Sequence, residues 1–507
     1  MSGYPNLAAL GADADPKKVG LKARGLGLGM SLGMRVPPGF VVPIEAPLDE
    51  ASLATAMDAL ESEIGSVLSD ARKPLFLALR SSPPISRPGE LDTVLCFGAT
   101  LETVPVLVGR LGSRFAALGA VRQARTDAAR VRGVQPPRAR PKTEAEIEAE
   151  LASSSELVAD RPNLASLLSS IRARAGSPIA LIVQVMVFGS ASGVSGGLVA
   201  HSRHPITGEP GPRGEWVPGE LGDQLTSGRT TPSALARSER PRDAESSLEA
   251  CAAGAFSEVA QLVAQLERAI TRPIEAELAL ENGALHLLQV RPSVLAPQGQ
   301  VTATVALVDH GVLDRIEAFR RIDLTTLLRA GTSSLPDDTS LAEAGAVELG
   351  RGLAASPGVA SGRLMLRAAD ALVESSSGPI VLVRSDASPE DAPAVRAAAG
   401  VATLAGGLTS HAAVMSRALG RPCAVSIDSL RIDERAGILH AGSRQVAVGE
   451  WVTVDGGSGR LLRGQIAPRW STRNPSATKL LGWARALADD PEDEPGPWYE
   501  ALRASLG

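Results

Sequence analysis

The sequence is poor in cysteine and carries no metal-type cysteine pattern. Its 507 residues include three cysteines, Cys96, Cys251 and Cys423, which stand far apart in the chain. An odd and scattered set argues against a cysteine metal site and makes a reducing cytoplasm the simplest compartment. Cys423 is more simply interpreted as a small buried core residue than as a reactive thiol.

The sequence also lacks an excess of positive charge and a long apolar run. A formal net charge of −5 argues against a nucleic-acid-binding protein. The longest strongly apolar run, residues 178–188, is too short to span a bilayer and contains Gln184, so it predicts a buried strand. The first residues show no basic-then-apolar signal pattern. We therefore expect a cytoplasmic protein that has neither a nucleic acid nor a membrane as its partner.

What is present fits a large globular protein. The composition is 44% hydrophobic and 21% charged, and the length is sufficient for about three domains. Strand-like pieces alternate with helical ones, which predicts a mixed α/β and α+β multidomain fold. Composition shifts suggest a first domain, a helical connector, a compact strand-rich domain and a polar, partly disordered tail, with the bounds 1–298, 299–350, 351–465 and 466–507.

Only six histidines occur, and one of them stands in a distinctive stretch, GGLTSHAAVMSRALGRPC, at residues 406–423. Thr409 or Ser410 is suited to cap a helix that begins near His411. At a helix N-terminus the backbone dipole disfavours imidazolium and favours a bound anion, so a neutral imidazole there is suited to accept a phosphoryl group. The alternative is a capped helix whose histidine has no chemical role.

A second set of polar residues lies on a predicted hairpin with a Glu-Asn-Gly turn. Glu275 and Glu277 are two apart on the first strand, and Gln289 and Arg291 are two apart on the second, so each pair shares a face. Carboxylate and amide oxygens suit Mg²⁺, and a neighbouring arginine suits phosphate. The alternative is a solvent-facing ladder of cross-strand charge pairs.

Two further cations lie beside flexible loops near the N-terminus. Lys22 stands in glycine-rich surroundings, and Arg80 ends a strand before a Gly/Pro loop that contains Gly89. Cations next to such loops are suited to hold a triphosphate, although neither matches the P-loop spacing. The alternative is that these loops are ordinary turns.

In their order along the chain these pieces resemble the N-terminal and central parts of the pyruvate phosphate dikinase family, which uses phosphoenolpyruvate. The resemblance covers roughly residues 15–465. It is carried by the following stretches: VPPGF (36–40), RSSPPISRPGELDTVLCFG (80–98), VQVMVFG (183–189), HPITGE (204–209), IEAELALENGALHLLQVRP (274–292), GLAASPG (352–358) and SPEDAPAVRAAAGVATLAGGLTSHAAVMSRALGRPC (388–423).

The resemblance implies an ATP-grasp-type nucleotide-binding domain over 1–298, a hinge over 299–350 and a swivelling phosphohistidine domain over 351–465. It implies Mg²⁺ as cofactor, ATP as substrate and inorganic phosphate as a further substrate. The residue roles that it implies are a phosphocarrier at His411, triphosphate contacts at Lys22, Arg80 and the Gly89 loop, nucleotide contacts at Glu275, Glu277 and Gln289, metal ligation at Glu277 and Gln289, a phosphate clamp at Arg291, and a possible regulatory site at Thr409.

The sequence also departs from the family. The C-terminal barrel that holds the family's pyruvate site has no counterpart after about Ile466, the phosphate loop contains prolines and Arg87, and His204 stands where the family usually has asparagine. The departures leave three functions open. The first is a phosphotransferase that phosphorylates His411 while converting ATP to AMP and passes the group to an acceptor on a separate protein. The others are a self-contained small-molecule phosphotransferase and an inactive ATP-binding scaffold.

Overall fold

The computed structural model describes residues 4–506 apart from 69, 86–91, 135–140, 142, 154–156, 192, 220–231, 344, 388, 472–473 and 489–494. It divides into two compact units. Unit 1 comprises Met1–Gly197, Pro218–Gly222 and Ala276–Arg291, and unit 2 comprises Leu198–Val217, Asp223–Glu275 and Pro292–Gly507. The units interleave along the chain, whereas the sequence suggested contiguous domains, and those four boundaries stay a prediction.

The described residues form a mixture of strands and helices, which confirms the predicted fold class. The strands are β1 (Gly39–Val42), β2 (Leu77–Ser82), β3 (Thr93–Phe97), β4 (Ala180–Val185), β5 (Gly196–Arg203), β6 (Pro210–Pro218), β7 (Ser233–Ala234), β8 (Ile274–Glu281), β9 (Ala284–Pro292), β10 (Thr332–Ser334), β11 (Val347–Arg351), β12 (Leu353–Ser356), β13 (Val359–Met365), β14 (Ile380–Arg384), β15 (Gly400–Thr403), β16 (Cys423–Val425), β17 (Leu430–Asp433), β18 (Ile438–Ala441), β19 (Arg444–Ala447), β20 (Trp451–Asp455), β21 (Arg460–Arg463) and β22 (Arg469–Ser471). The helices are α1 (Pro16–Ser31), α2 (Glu50–Ile64), α3 (Val104–Leu111), α4 (Arg114–Val131), α5 (Glu144–Ser153), α6 (Arg161–Arg174), α7 (Leu248–Cys251), α8 (Ala253–Ile270), α9 (Pro297–Asp309), α10 (Arg315–Arg321), α11 (Leu324–Arg329), α12 (Asp338–Glu343), α13 (Ala368–Glu374), α14 (Ala392–Ala397), α15 (His411–Leu419), α16 (Pro475–Arg485) and α17 (Pro497–Ser505).

Unit 1 contains a four-stranded antiparallel sheet in the order β1-β4-β2-β3. The apolar run at 178–188 supplies β4, whose first five residues are buried between β1 and β2, as the sequence predicts. Helices α2, α3, α4 and α6 pack their apolar faces on the unit's core together with the sheet. Arg80 lies on β2, two residues before the strand ends.

Helix α1 is broken at Gly20, where the backbone adopts a φ of 76°. A Cβ at this position would overlap the backbone of Ser82 at the end of β2, so only glycine fits. The Ser82 hydroxyl donates to the carbonyl of Val19 (2.9 Å) and accepts from the N–H of Ala23 (3.2 Å). This close approach fixes Lys22 beside the end of the strand that carries Arg80.

Strands β8 and β9 form the predicted hairpin. Its turn is Asn282-Gly283, with φ values of 50° and 80°. Positive φ at both central residues is the requirement of the type I′ turn, which explains the Asn-Gly pair in the sequence. The hairpin sets Glu277 on β8 and Gln289 on β9.

Unit 2 contains an eight-stranded sheet in the order β11-β21-β20-β13-β14-β15-β16-β12. Strands β13, β14, β15 and β16 run parallel, and the connections between them carry α13, α14 and α15. Helix α15 therefore starts at the carboxyl end of β15, after the loop 404–410. The N-termini of helices that follow parallel strands gather at this edge of a sheet, where ligands commonly bind.

A second part of unit 2 is a helical cluster that includes the described residues of the tail. Helices α16 and α17 pack with α9, α10 and α11, and they bury Leu480, Ala484 and Tyr499. The tail was expected to be polar and partly disordered, and its described residues form part of an apolar core instead. Among the described residues, no helix combines the length and apolar character that a bilayer crossing requires.

Candidate functional site

In unit 1 the structure brings together four of the sequence-predicted site residues. Arg80 is buried, and its guanidinium donates to the carbonyl of Leu288, to Glu277 Oε2 (3.4 Å) and to Gln289 Oε1 (3.5 Å). Both acceptor oxygens therefore lie close to one guanidinium nitrogen, Nη2. Lys22 is the fourth member, because the charges of Arg80 and Glu277 act on its amine and shift its pKa.

The Lys22 amine titrates at an unusual pH for a lysine. Burial and, to a smaller extent, the positive charges of Arg80 and Arg291 lower its pKa to about 8, and the charge of Glu277 opposes the shift. The residue is half-buried overall, but its amino group lies on the buried side. Lys22, Arg80 and Arg291 thus form a concentration of positive charge, which the charge of Glu277 partly balances. A polyanion such as a triphosphate would relieve this repulsion.

The same residues suit a magnesium ion. The oxygens of Glu277 and Gln289 are hard ligands, and the Glu277 side chain keeps 27% of its surface exposed to solvent. Across the ranges the structure describes, no group of three or more histidine, cysteine, aspartate or glutamate side chains is arranged to hold a metal. A single carboxylate with an amide oxygen fits Mg²⁺, which takes its remaining ligands from water and substrate phosphates.

The predicted nucleotide contact Glu275 has its described neighbours in unit 2. Glu275 is buried in unit 2, and its Oε2 lies 3.9 Å from Nδ1 of His201, whose ring also bonds the hydroxyl of Ser293 (2.8 Å). A nucleotide role for Glu275 stays a prediction. Gly89, with the rest of residues 86–91 of the phosphate loop, lies outside the described residues.

In unit 2, His411 is the first residue of α15 and is half-buried. Helix α15 ends at Gly420, whose left-handed backbone closes it. Ala412 and Ala413 turn into the core of the sheet, so the small residues form the buried side of the helix. The ring stands where the helix dipole favours a neutral imidazole and a bound anion, as the sequence predicts.

The predicted cap of α15 is correct in position and wrong in its bonding. Ser410 is the N-cap residue, but its side chain makes no capping hydrogen bond. The Thr409 hydroxyl donates instead to Glu215 Oε2 (2.6 Å), and the Thr409 N–H donates to the same oxygen (3.1 Å). The N–H of Leu408 donates to Glu215 Oε1 (2.7 Å). The loop before His411 is therefore bound by the carboxylate of Glu215, which is distant in the sequence, rather than by a side-chain cap of its own.

Glu215 and its partner Arg240 are the site residues that sequence reasoning missed. Glu215 lies on β6 with 0% of its surface exposed, and Arg240, which is 7% exposed, donates to its Oε1 and to the carbonyl of Pro232. The contact joins residues more than 190 positions apart, which periodicity cannot reveal. The one available signal is a glutamate inside the apolar strand GEWVP, since a charge at such a position requires partners.

A buried arginine supports the same loop from inside α15. The Arg417 guanidinium donates to the carbonyls of Leu408 (2.8 Å), Ala355 (3.1 Å) and Val294 (3.2 Å). It thereby ties the helix and the preceding loop to the sheet. Nearby, burial raises the pKa of the Cys423 thiol to about 11, which agrees with the prediction of an unreactive core cysteine.

A family model matches the segment that contains His411. Residues 377–459 match the family model "PEP-utilising enzyme, mobile domain". This match contains His411 and lies within the segment 351–465, for which the sequence predicts a swivelling phosphohistidine domain.

Whole-chain similarity points to the same family. The chain is 28% identical to the pyruvate, phosphate dikinase of Rickettsia felis over 93% of its own length and 58% of that protein. It is 29% identical to the enzyme of Rhizobium meliloti (94% of the chain, 59% of the relative) and 27% identical to the chloroplastic enzyme 1 of Arabidopsis thaliana (91% and 53%). These similarities confirm the resemblance inferred from the motifs. The chain spans less than three fifths of the length of these relatives.

Proposed function

We propose that this protein is an ATP-dependent phosphotransferase of the dikinase type. It transfers a phosphoryl group from ATP to His411 and passes it to an acceptor held by a separate protein. The observation that carries the proposal is the pairing of two sets of residues in one chain. Lys22, Arg80, Glu277 and Gln289 meet in unit 1, and a half-buried histidine begins α15 inside a mobile-domain match.

The chemistry of the unit 1 residues supports the binding of Mg·ATP. Lys22, Arg80 and Arg291 supply positive charge for the triphosphate, and Glu277 and Gln289 supply oxygens for Mg²⁺. When bound, the metal ion would neutralise charge on the phosphate oxygens. A bound triphosphate would reduce the repulsion among these cations, which favours its binding.

The first step of the proposed reaction is a displacement at phosphorus. A ring nitrogen of neutral His411 forms a bond to the β-phosphorus, and the bond from this phosphorus to the AMP oxygen breaks. His411 Nδ1 is buried, so Nε2 is the nitrogen that we expect to attack. This displacement places the β- and γ-phosphoryl groups together on His411. Inorganic phosphate then attacks the γ-phosphorus, and the bond that joins this phosphorus to the β-phosphoryl group breaks. The products are AMP, pyrophosphate and phosphohistidine.

The second step requires an acceptor. The chain aligns with 58% of the length of the Rickettsia felis dikinase, so the relative contains a large part to which this chain does not align. We propose that the acceptor is presented by another protein, to which the phosphohistidine gives its phosphoryl group.

The test is to incubate the purified protein with Mg²⁺, inorganic phosphate and β-³²P-labelled ATP. We expect one acid-labile label per chain and the formation of AMP. The variant His411→Ala should lose the label and keep its affinity for ATP, because His411 lies outside the unit 1 cluster. Labelling of the variant to the wild-type level, or ATP binding without any label or AMP from the wild type, would overturn the proposal.

A further inference from the structure

The loop that precedes His411 is bound by a carboxylate from outside the mobile-domain match. Leu408 and Thr409 lie within the match to 377–459, whereas Glu215 and Arg240 lie outside it. Four donors converge on the single Glu215 carboxylate: two backbone N–H groups, the Thr409 hydroxyl and the Arg240 guanidinium. We refer to Glu215, Arg240, Leu408 and Thr409 as the Glu215 latch.

The chemistry of the latch suits a contact that forms and breaks. Hydrogen bonds to a buried ion are stronger than those between neutral groups, so the contact fixes the loop while it is made. When it opens, water can solvate the carboxylate, the guanidinium and the amides, so the separated state is not left with buried unpaired charge. An apolar contact would instead expose hydrocarbon to water on release.

The backbone of Gly407 lies directly against the carboxylate of Glu215. A Cβ on this residue would overlap both oxygens of Glu215. The φ of Gly407 is not in the left-handed region, so the requirement for glycine at this position comes from the closeness of Glu215 rather than from backbone strain.

We propose that the Glu215 latch positions the His411 loop for the reaction of His411 with a phosphoryl group, and that the latch is a contact that forms and breaks. Glu215 is thus a positioning residue that acts through Leu408 and Thr409, two and three residues before His411. Because α15 follows the loop directly, a shift of the loop moves the imidazole. This inference rests on the proposed function.

The test compares Glu215→Gln with Glu245→Gln in the full-length protein. Both substitutions replace a glutamate in unit 2, but the side chain of Glu245 is 86% exposed and serves as the control. Two quantities are measured at saturating ATP: the single-turnover rate of His411 labelling, and the hydrogen–deuterium exchange of peptides that cover 404–412. We expect Glu215→Gln to slow labelling about 10- to 100-fold, which is the cost of a misplaced reacting group, and to speed exchange in these peptides. Glu245→Gln should change neither.

Two more variants guard against a loss of folding in Glu215→Gln. Gly407→Ala should displace the carboxylate and reproduce both effects, and Glu215→Gln added to Gly407→Ala should slow labelling no further, because both changes break the same contact. Thr409→Val removes one hydrogen bond. Combined with Glu215→Gln, it should slow labelling no further than Glu215→Gln alone, because both changes act on the same contact.

The outcomes of these experiments test the proposed function, the latch and the positioning role of Glu215 separately. A wild-type protein that takes up no label refutes the proposed function, and the exchange experiment still tests the latch. Normal labelling together with normal exchange in Glu215→Gln and Gly407→Ala refutes the latch. Slow labelling with unchanged exchange also refutes it, because Glu215 would then act by another route. Faster exchange with normal labelling refutes its role in positioning His411.

Discussion

Lys22 makes ATP binding sensitive to pH. Its pKa of about 8 in the protein without ligand means that the amine is mostly charged at pH 7 and mostly neutral at pH 9. Only the charged amine attracts the triphosphate, so we expect the dissociation constant for ATP to rise as the pH increases above about 8. Calorimetric titration with Mg·ATP between pH 7 and pH 9.5 measures this change.

The matched variant is Lys22→Arg, since arginine keeps its charge over this range. Its dissociation constant for ATP should be nearly independent of pH. A wild-type curve that stays flat to pH 9.5, or an equal slope in the variant, would contradict the role given to Lys22.

His204 gives a second pH prediction and explains a departure from the family. Its Nδ1 accepts hydrogen bonds from the N–H groups of Ile206 (3.1 Å) and Thr207 (3.3 Å), as the side-chain oxygen of asparagine does in a turn. Only the neutral ring can accept at Nδ1. Burial lowers the pKa of His204, the charges of Arg213 and Arg417 lower it further, and Glu209 opposes them.

Because the folded state disfavours the charged ring, the stability associated with His204 is complete above the unfolded pKa and is lost as the pH falls below about 6.5. We expect the melting temperature of the wild type to fall more steeply between pH 7.5 and pH 5 than that of His204→Asn. His204→Ala, which has no acceptor, should melt lower than His204→Asn at every pH. Parallel curves for the wild type and His204→Asn would contradict the prediction.

At the residue scale, the sequence selected four residues that the structure places together, and their roles in binding stay a prediction. Lys22, Arg80, Glu277 and Gln289 are polar residues in apolar or glycine-rich settings, and the structure brings them together. Glu215 escaped notice because its importance comes from a partner in a distant part of the chain.

At the scale of the element, local signals predicted structure well. The Asn-Gly turn, the strand at β4 and the start of α15 were all correct, since each depends on residues within a few positions. The sequence did not predict that described residues of the tail enter an apolar core, because polar residues outnumber the few apolar ones there. Leu480 and Tyr499 are fully buried, and the Tyr499 ring lies 4.6 Å from that of Phe319.

The tail helices can be tested by truncating one side chain. Leu480→Ala removes a fully buried side chain of α16, and we expect unit 2 to lose about 3 kcal/mol of stability, as for other buried leucines. Leu487→Ala is the control, because Leu487 is 42% exposed, and its effect should stay within about 0.5 kcal/mol. Denaturant unfolding followed by tryptophan fluorescence measures both. Equal midpoints for the two variants would show that the tail helices contribute no core packing.

At the scale of the whole molecule, the fold class was predictable and the division into units was not. Alternating strand and helix patterns report what each stretch forms, and the structure agrees with them. The assignment of stretches to units depends on pairings between distant residues, such as Arg80 on β2 with Glu277 on β8. Such pairings leave no trace in local periodicity.

Because the two units interleave along the chain, the segments of unit 1 are synthesised at separate times. Unit 1 takes its last residues from Ala276–Arg291, and the intervening stretches Leu198–Val217 and Asp223–Glu275 are assigned to unit 2. Arg80 therefore leaves the exit tunnel some two hundred residues before Glu277 and Gln289. Until these residues are synthesised, the Arg80 guanidinium cannot form its hydrogen bonds with them. Unit 1 can therefore complete its folding only after residue 291 has been synthesised.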